Sequence, residues 1–335
     1  MVDRVASAHN EQVSNLEEKP DEVTAAGTVT GSVEIMTPRE VPLGGPRAMH
    51  VRRTLPQRHR SLIGAWCFVD HYGPDEVADS GGMSVAPHPH TGLQTVSWLF
   101  TGEVEHRDSA GTHAMVRPGE VNLMTAGRGI SHSEVSPATT TTLHGAQLWV
   151  ALPDSARHID PGFAHHAPAP VTGDGWEARV FLGSLLGDTS PVPTYTPLLG
   201  AELLLSPHTT LELPVEAAFE HGVLVDTGVL SVAGVETKQH DLAYVPPGSA
   251  TLELTAYDEP VRLLLLGGPP FGESIVMWWN IVARTHEEVV AWRTEWQDQI
   301  VDGRLTDGRF GIPVGEQLPP IPAPPLPNAR LTQRR

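Results

Sequence analysis

GMSVAPHPHTGLQTVSWLF, residues 82–100, is the stretch on which the reading of this chain turns. His88 and His90 stand two apart in it, and in an extended segment residues i and i+2 point to the same face. Both imidazoles can therefore reach one ion. Pro89 between them lacks the N–H that a sheet ladder needs, which predicts an edge strand or a bulge, and its ring stiffens the pair. A second stretch, AGRGISHSE (126–134), repeats the spacing with His132 and Glu134 after a tight glycine-rich turn. Two such strands facing each other would offer three imidazoles and one carboxylate, a set that leaves two positions open on an octahedral ion. Iron(II) and manganese suit these donors; nickel, copper and zinc also accept them. The lack of a thiolate speaks against a structural zinc site.

Either pair alone would signify little, because paired surface histidines are common. Together, each in a strand context, they point to a metal site. The competing reading is a histidine-rich hairpin. His106 and His113 lie nearby without metal spacing and are read as loop or supporting residues, not ligands.

Outward from these motifs, short apolar runs alternate with turn residues. They include LQTVSWLF (93–100), HGAQLWVAL (144–152), ARVFLGSLL (178–186), AELLLS (201–206), HGVLVDTGVLSVAG (221–234) and VRLLLLGG (261–268). These runs are short for buried helices and are punctuated by Gly, Pro and Asp, which predicts an all-β fold of antiparallel barrels or sandwiches. A loose internal repeat supports two barrels. TGEVEH (101–106) and RPGEV (117–121) are echoed by VDTGVLSVAG (225–234) and YVPPGSA (244–250). The boundary is expected near Gly187–Thr196. One segment differs: in THEEVVAWRTEWQDQI (285–300), Thr285 and Glu288 form a capping box, and Val289, Trp292, Trp296 and Ile300 recur at helical spacing. It reads as an amphipathic helix packing its tryptophans on a barrel.

The chain has 335 residues with 22 Lys and Arg against 40 Asp and Glu, a net charge of -18. Such a protein repels phosphate backbones, so general nucleic-acid binding is not expected. Arg47, Arg52, Arg53, Arg58 and Arg60 form a local basic stretch that reads as a solvated strand and loop. Cys67 is the single cysteine, which fits a reducing cytoplasm. The polar, acidic first 30 residues carry no apolar core of a signal peptide and should be disordered, and no run is long enough for a membrane span. PVGEQLPPIPAPPLP (313–327) should form an extended, polyproline-like tail.

The stretches HPHTGLQTVSWLFTGEVEHRDSAG (88–111), PGEVNLMTAGRGISHSE (118–134) and HGAQLWVALP (144–153) resemble the pirin family of the cupin superfamily. VRRTLP (51–56) and WCFVDHYGP (66–74) resemble the strand and turn preceding its metal motif. The resemblance implies two cupin-type antiparallel β-barrels with a C-terminal helix, and metal, usually iron, only in the first. It places the ligands on His88, His90, His132 and Glu134, the same set that the spacing suggests. Gln94 stands where cupins generally carry a glutamate ligand; it and Arg128 are candidates beside the pocket, as are Asp70 and Gln147 in the matching segments. The expected organisation is a disordered tail over 1–30 and an N-terminal metal-binding cupin domain over 31–190. A C-terminal cupin domain without metal over 191–283, a helix packed on a barrel over 284–312 and a proline-rich tail over 313–335 follow. HTTLELP (208–214), EHGVLVDTG (220–228) and YVPPGSATLELTAYDE (244–259) offer no ligand pair.

Two functions follow from the resemblance. One is a quercetin 2,3-dioxygenase-type reaction of dioxygen with a flavonol-like chelating substrate, releasing carbon monoxide, with Glu134 as general base. The other is a non-enzymatic, redox-sensitive regulator that binds a transcription factor or metabolic enzyme. A monomer is expected. P-loop, dinucleotide-binding and GxSxG signatures are missing from the sequence.

Overall fold

The computed structural model describes residues 33–43, 49–303 and 308–334; the tail expected over 1–30, and Arg47, lie outside them. Two domains repeat one plan, each with a seven-stranded and a four-stranded antiparallel sheet among the described residues. In the first, the large sheet runs in spatial order Gly162–His166, Val121–Thr125, Leu93–Thr101, Thr142–Ala151, Trp66–Glu76, Met49–Leu55 and Arg39–Leu43. The small sheet runs Ser84–His90, Ile130–Val135, Val104–Asp108 and His113–Val116. The second domain builds its large sheet around Leu199–Leu205, Glu220–Thr227 and Val261–Gly268, and its small sheet around Thr251–Ala256. The expected all-β bicupin is thus the observed architecture.

The chain enters the second domain earlier than the turn-rich stretch suggests. Trp176–Leu182 already pairs with Leu199–Leu205, and Glu34–Met36 crosses from the first described residues to pair with Leu242–Val245. Gly187–Thr196 is rich in turn formers for a local reason. It carries part of a two-residue hairpin, Ser184–Leu185 against Asp188–Thr189, with positive φ at Leu186 and Gly187.

Strand alternation gives the first domain's large sheet two working faces. Phe68, Asp70, Tyr72, Gln147 and Trp149 line an interior cavity. The intervening Val69, Val96, Trp98, Ala146 and Leu148 turn the other way and form one core with Phe181, Leu224, Leu264 and Leu266 of the second domain. Trp98 stacks on Phe181 with ring centroids 4.6 Å apart, and Trp66 Nε1 donates to the Leu199 carbonyl at 3.2 Å. Each such side chain fully buried contributes roughly 1.5–3 kcal/mol, so the domains share their stability.

The capping box forms as the sequence predicts: Thr285 accepts from Glu288 N, and the Glu288 carboxylate accepts from Thr285 N. The α-helix covers His286–Glu295, and Trp296–Asp302 continues it with wider π-type turns. Val289, Trp292, Trp296 and Ile300 are buried with Tyr72, Met83 and Val85 of the first domain. The proline-rich segment does not leave the molecule. It is extended, but Ile321 and Ala323 insert between its prolines into the same core. Ile321 N donates to the Pro87 carbonyl, and its own carbonyl accepts Trp296 Nε1, both at 2.8 Å. Among the described residues no helix is long and apolar enough to cross a membrane.

Candidate metal centre

Ser84–His90 is an edge strand, the position that a proline-bearing strand can take. It pairs with Ile130–Val135 so that His132 stands opposite His88 and Ile130 opposite His90, and the register slips at a bulge between His132 and Glu134. The turns beside the two strands are tied together: Gly92 N donates to the Gly127 carbonyl at 2.9 Å. Gly127 has φ +51°, and a side chain there would collide with the Ile159 carbonyl, so only glycine fits the turn.

One ring nitrogen each of His88, His90 and His132 lies within 4.8 Å of the others, close enough to share an ion. Their ring centroids are 4.4 to 4.9 Å apart. Glu134 belongs to an overlapping group with His132 and His106 and lines the same cavity as the three imidazoles. All four candidate ligands are buried. Burial pulls His88 down to about 4 and holds His90 and His132 well below the usual imidazole range, while it pushes the Glu134 carboxyl up. The imidazoles are therefore neutral donors at pH 7, and burial outweighs what His106 and Ser97 offer the carboxylate. His132 Nε2 is buried with no hydrogen-bond partner, at a cost of about 1–3 kcal/mol that ligation would remove. This donor set fits a divalent ion bound through nitrogen and oxygen.

Hydrogen bonds on the far side fix which nitrogens face the cavity. Asp108 Oδ1 accepts from Ala110 N and Thr112 N at 2.9 Å each, and its Oδ2 lies 3.2 Å from His106 Nε2. With that N–H donating to Asp108, His106 Nδ1 accepts the proton of His132 Nδ1 at 3.3 Å, which assigns the Nε2 lone pair of His132 to the cavity. His88 behaves alike: Nδ1 donates to the Ala86 carbonyl at 2.9 Å and leaves Nε2 free. His106 is thus a strand residue touching His132. Its partner Asp108 was overlooked in the sequence, although HRD (106–108) shows the same i, i+2 spacing as the ligand pairs. His113 is exposed on the neighbouring strand and pairs with Glu105 Oε1 at 2.5 Å.

Asp70 and Gln147 line the cavity as expected from their segments. Asp70 is held by Arg53 through two bonds, Nε to Oδ1 at 2.7 Å and Nη2 to Oδ2 at 2.8 Å, in a buried pair. Arg53 lies 4.4 Å above the Phe68 ring, which stacks on Trp149 at 4.0 Å. Ser97 Oγ donates to Gln147 Oε1 at 2.8 Å and sits 3.5 Å from Glu134 Oε1. Gln94 and Arg128 lie elsewhere. Gln94 is three residues from Ser97, hence on the opposite face of the strand, and its amide donates to Thr125 Oγ1 at 2.9 Å. Arg128 points outward and bonds Asp160 at 2.9 Å. The arginine stretch is not a free basic face either: Arg53 is buried, Arg52 bonds the Gly73 carbonyl, and Arg60 pairs with Glu34. The cavity itself measures about 30 Å³.

Comparison with known proteins places these features in a family. The family model for pirin matches residues 48–150, and that for the pirin C-terminal cupin domain matches residues 200–302. A Pseudomonas aeruginosa protein provisionally named a quercetin 2,3-dioxygenase is 43% identical over 87% of this chain and 90% of its own length. A pirin-like protein of Caulobacter vibrioides is 37% identical over 74% of this chain and 88% of its own. The crystal structure of a quercetin 2,3-dioxygenase from Acinetobacter baumannii superposes with a TM-score of 0.82 at 39% identity, covering 89% of this chain and 96% of that one.

Proposed function

Because this chain belongs to the pirin family and carries both of its cupin domains, we propose that it is a mononuclear metal-dependent oxygenase of the quercetin 2,3-dioxygenase type. The observation that carries the reading is the convergence of three buried neutral imidazoles beside Glu134 in a cavity walled by aromatic and apolar side chains. His88, His90, His132 and Glu134 would hold the ion, taken here as iron(II). That ion supplies Lewis acidity toward a chelating flavonol-like substrate and the redox capacity that lets dioxygen react.

The protein's own groups do the rest. Asp108 and His106 hold His132 in the ligating tautomer. Glu134, disfavoured as an anion by burial, gains a reason to ionise beside a cation and is then placed to take the proton of a substrate hydroxyl. Phe68, Met83, Val85 and Trp149 keep bulk water from the reacting atoms. Ser97 occupies the amide oxygen of Gln147, so the Gln147 N–H groups are the donors offered to a substrate oxygen. The test is aerobic incubation of iron-loaded protein with quercetin. Loss of the flavonol with release of carbon monoxide, abolished by His88→Ala, is the expected result; unchanged flavonol with a full complement of iron would refute the reading.

The cavity favours a second reading. At about 30 Å³ it admits water or dioxygen but falls far below the roughly 300 Å³ at which ligand pockets begin, so a flavonol requires the walls to part. A non-enzymatic regulator, whose iron redox state is read by a transcription factor or metabolic enzyme, needs no such opening. Capture of one partner by ferrous but not ferric protein, without flavonol turnover, would favour it.

A further inference from the structure

On the opposite face of the same sheet, two more histidines meet a carboxylate. His71 follows Asp70 on the strand Trp66–Glu76, and alternation turns it away from the cavity toward the second domain. His144 opens the neighbouring strand's run toward the same side. Asp226 reaches them from the second domain's strand Glu220–Thr227. His71 Nε2 and His144 Nε2 lie 2.7 and 2.6 Å from the same atom, Asp226 Oδ1. The three side chains are 0%, 7% and 1% exposed, so the group is enclosed.

Two imidazole nitrogens and one carboxylate oxygen that all lie within 4.8 Å of one another form a three-ligand set. The other carboxylate oxygen is engaged: Arg262 Nη1 donates to Asp226 Oδ2 at 3.3 Å, the kind of outer bond that orients a ligating carboxylate. Arg262 is itself shared with Glu202 at 3.2 Å, which offsets its charge. His240 stands beside the group with its ring 5.3 Å from that of His71, and it is partly exposed, which makes it the nearest further imidazole to the set. We propose that His71, His144 and Asp226 form a second metal site, spanning the domain boundary and taking a borderline divalent ion of the zinc class in four-coordinate geometry. Its ligands come from both domains, so the ion would staple one barrel to the other. This departs from the expectation that the second domain takes no part in metal binding.

The test counts ions. Metal-free full-length protein is saturated with zinc(II), freed of excess by gel filtration and analysed by mass spectrometry for bound metal. Two ions per wild-type chain are expected, with one lost in Asp226→Asn and one retained in the double variant His88→Ala, His132→Ala. With cobalt(II) as probe, the double variant should show the visible bands of a four-coordinate ion, and adding Asp226→Asn should abolish them. Bound metal that survives Asp226→Asn in full, whether one ion per chain or two, would overturn the proposal and leave the cluster as a hydrogen-bonded clamp. The wild-type and Asp226→Asn counts decide the matter even if the double variant does not fold.

Discussion

The Nδ1 atom of His132 faces His106, not solvent, and that contact decides which nitrogen can ligate. In the chain Asp108–His106–His132, every donor has an acceptor and one lone pair is left over, at His132 Nε2. Asp108→Asn keeps the shape but removes the charge that holds the His106 tautomer. It should weaken metal affinity by about 10- to 100-fold, measured by competition with a chelator, with little change in melting temperature. Affinity equal to wild type would mean that the far-side bonds do not tune the ligand. The convergence of the two candidate pairs on one cavity was legible in the sequence because i, i+2 spacing has one meaning in a strand. The HRD pair has that spacing too, but its role depends on which strand lies next to Ile130–Val135, and that neighbour is fixed only by long-range pairing.

The two strands that carry the candidate ligands are short and one is an edge, so their rigidity has to come from outside the sheet. Alternation sends His88 and His132 inward and Pro87, Ser131 and Ser133 outward. The outward groups are bonded by the C-terminal segment: Pro87 by Ile321, Ser131 by Phe310 and Gly311, and Ser133 by Glu316. The segment is itself anchored by Trp296, which is fully buried and donates to the Ile321 carbonyl. Trp296→Ala should cost about 3–5 kcal/mol in denaturant unfolding and should also speed metal loss from the folded protein. Destabilisation with unchanged metal release would separate the helix from the site. The tryptophan stripe and capping box were readable because both are local patterns. The docking of the proline-rich segment was not, because its composition resembles that of a free tail, and only the apolar positions Ile321 and Ala323 hint that it packs.

Across the molecule, the two domains repeat one design with different consequences for charge. The first converges ionisable groups on its cavity, whereas the second also buries a titratable group, His221, away from any cluster. His221 is pulled down to about 4 by burial alone, from an ordinary value of 6.5. Below pH 6.5 the unfolded chain takes up a proton there that the folded chain refuses, so stability falls as pH drops from 6.5 toward 4. The loss attributable to this group is up to about 3 kcal/mol, since each pKa unit is worth about 1.4 kcal/mol. His221→Gln should flatten that part of the stability–pH curve in urea unfolding; an unchanged slope would place the acid sensitivity elsewhere. A plan of two related barrels was legible from turn spacing and the internal repeat, and their cupin type from the pirin-like motifs, whereas the early entry into the second domain was not, since Trp176–Leu182 reads as a strand without naming its sheet.

The proposed site requires one ion shared by the strands Ser84–His90 and Ile130–Val135. X-ray absorption spectroscopy of the iron-loaded protein measures that directly. Scattering from three imidazoles with light oxygen ligands beside them, reduced to two imidazoles in His132→Ala, is the predicted result. Iron seen with one imidazole or none, or a spectrum that His132→Ala leaves unchanged, would contradict the account.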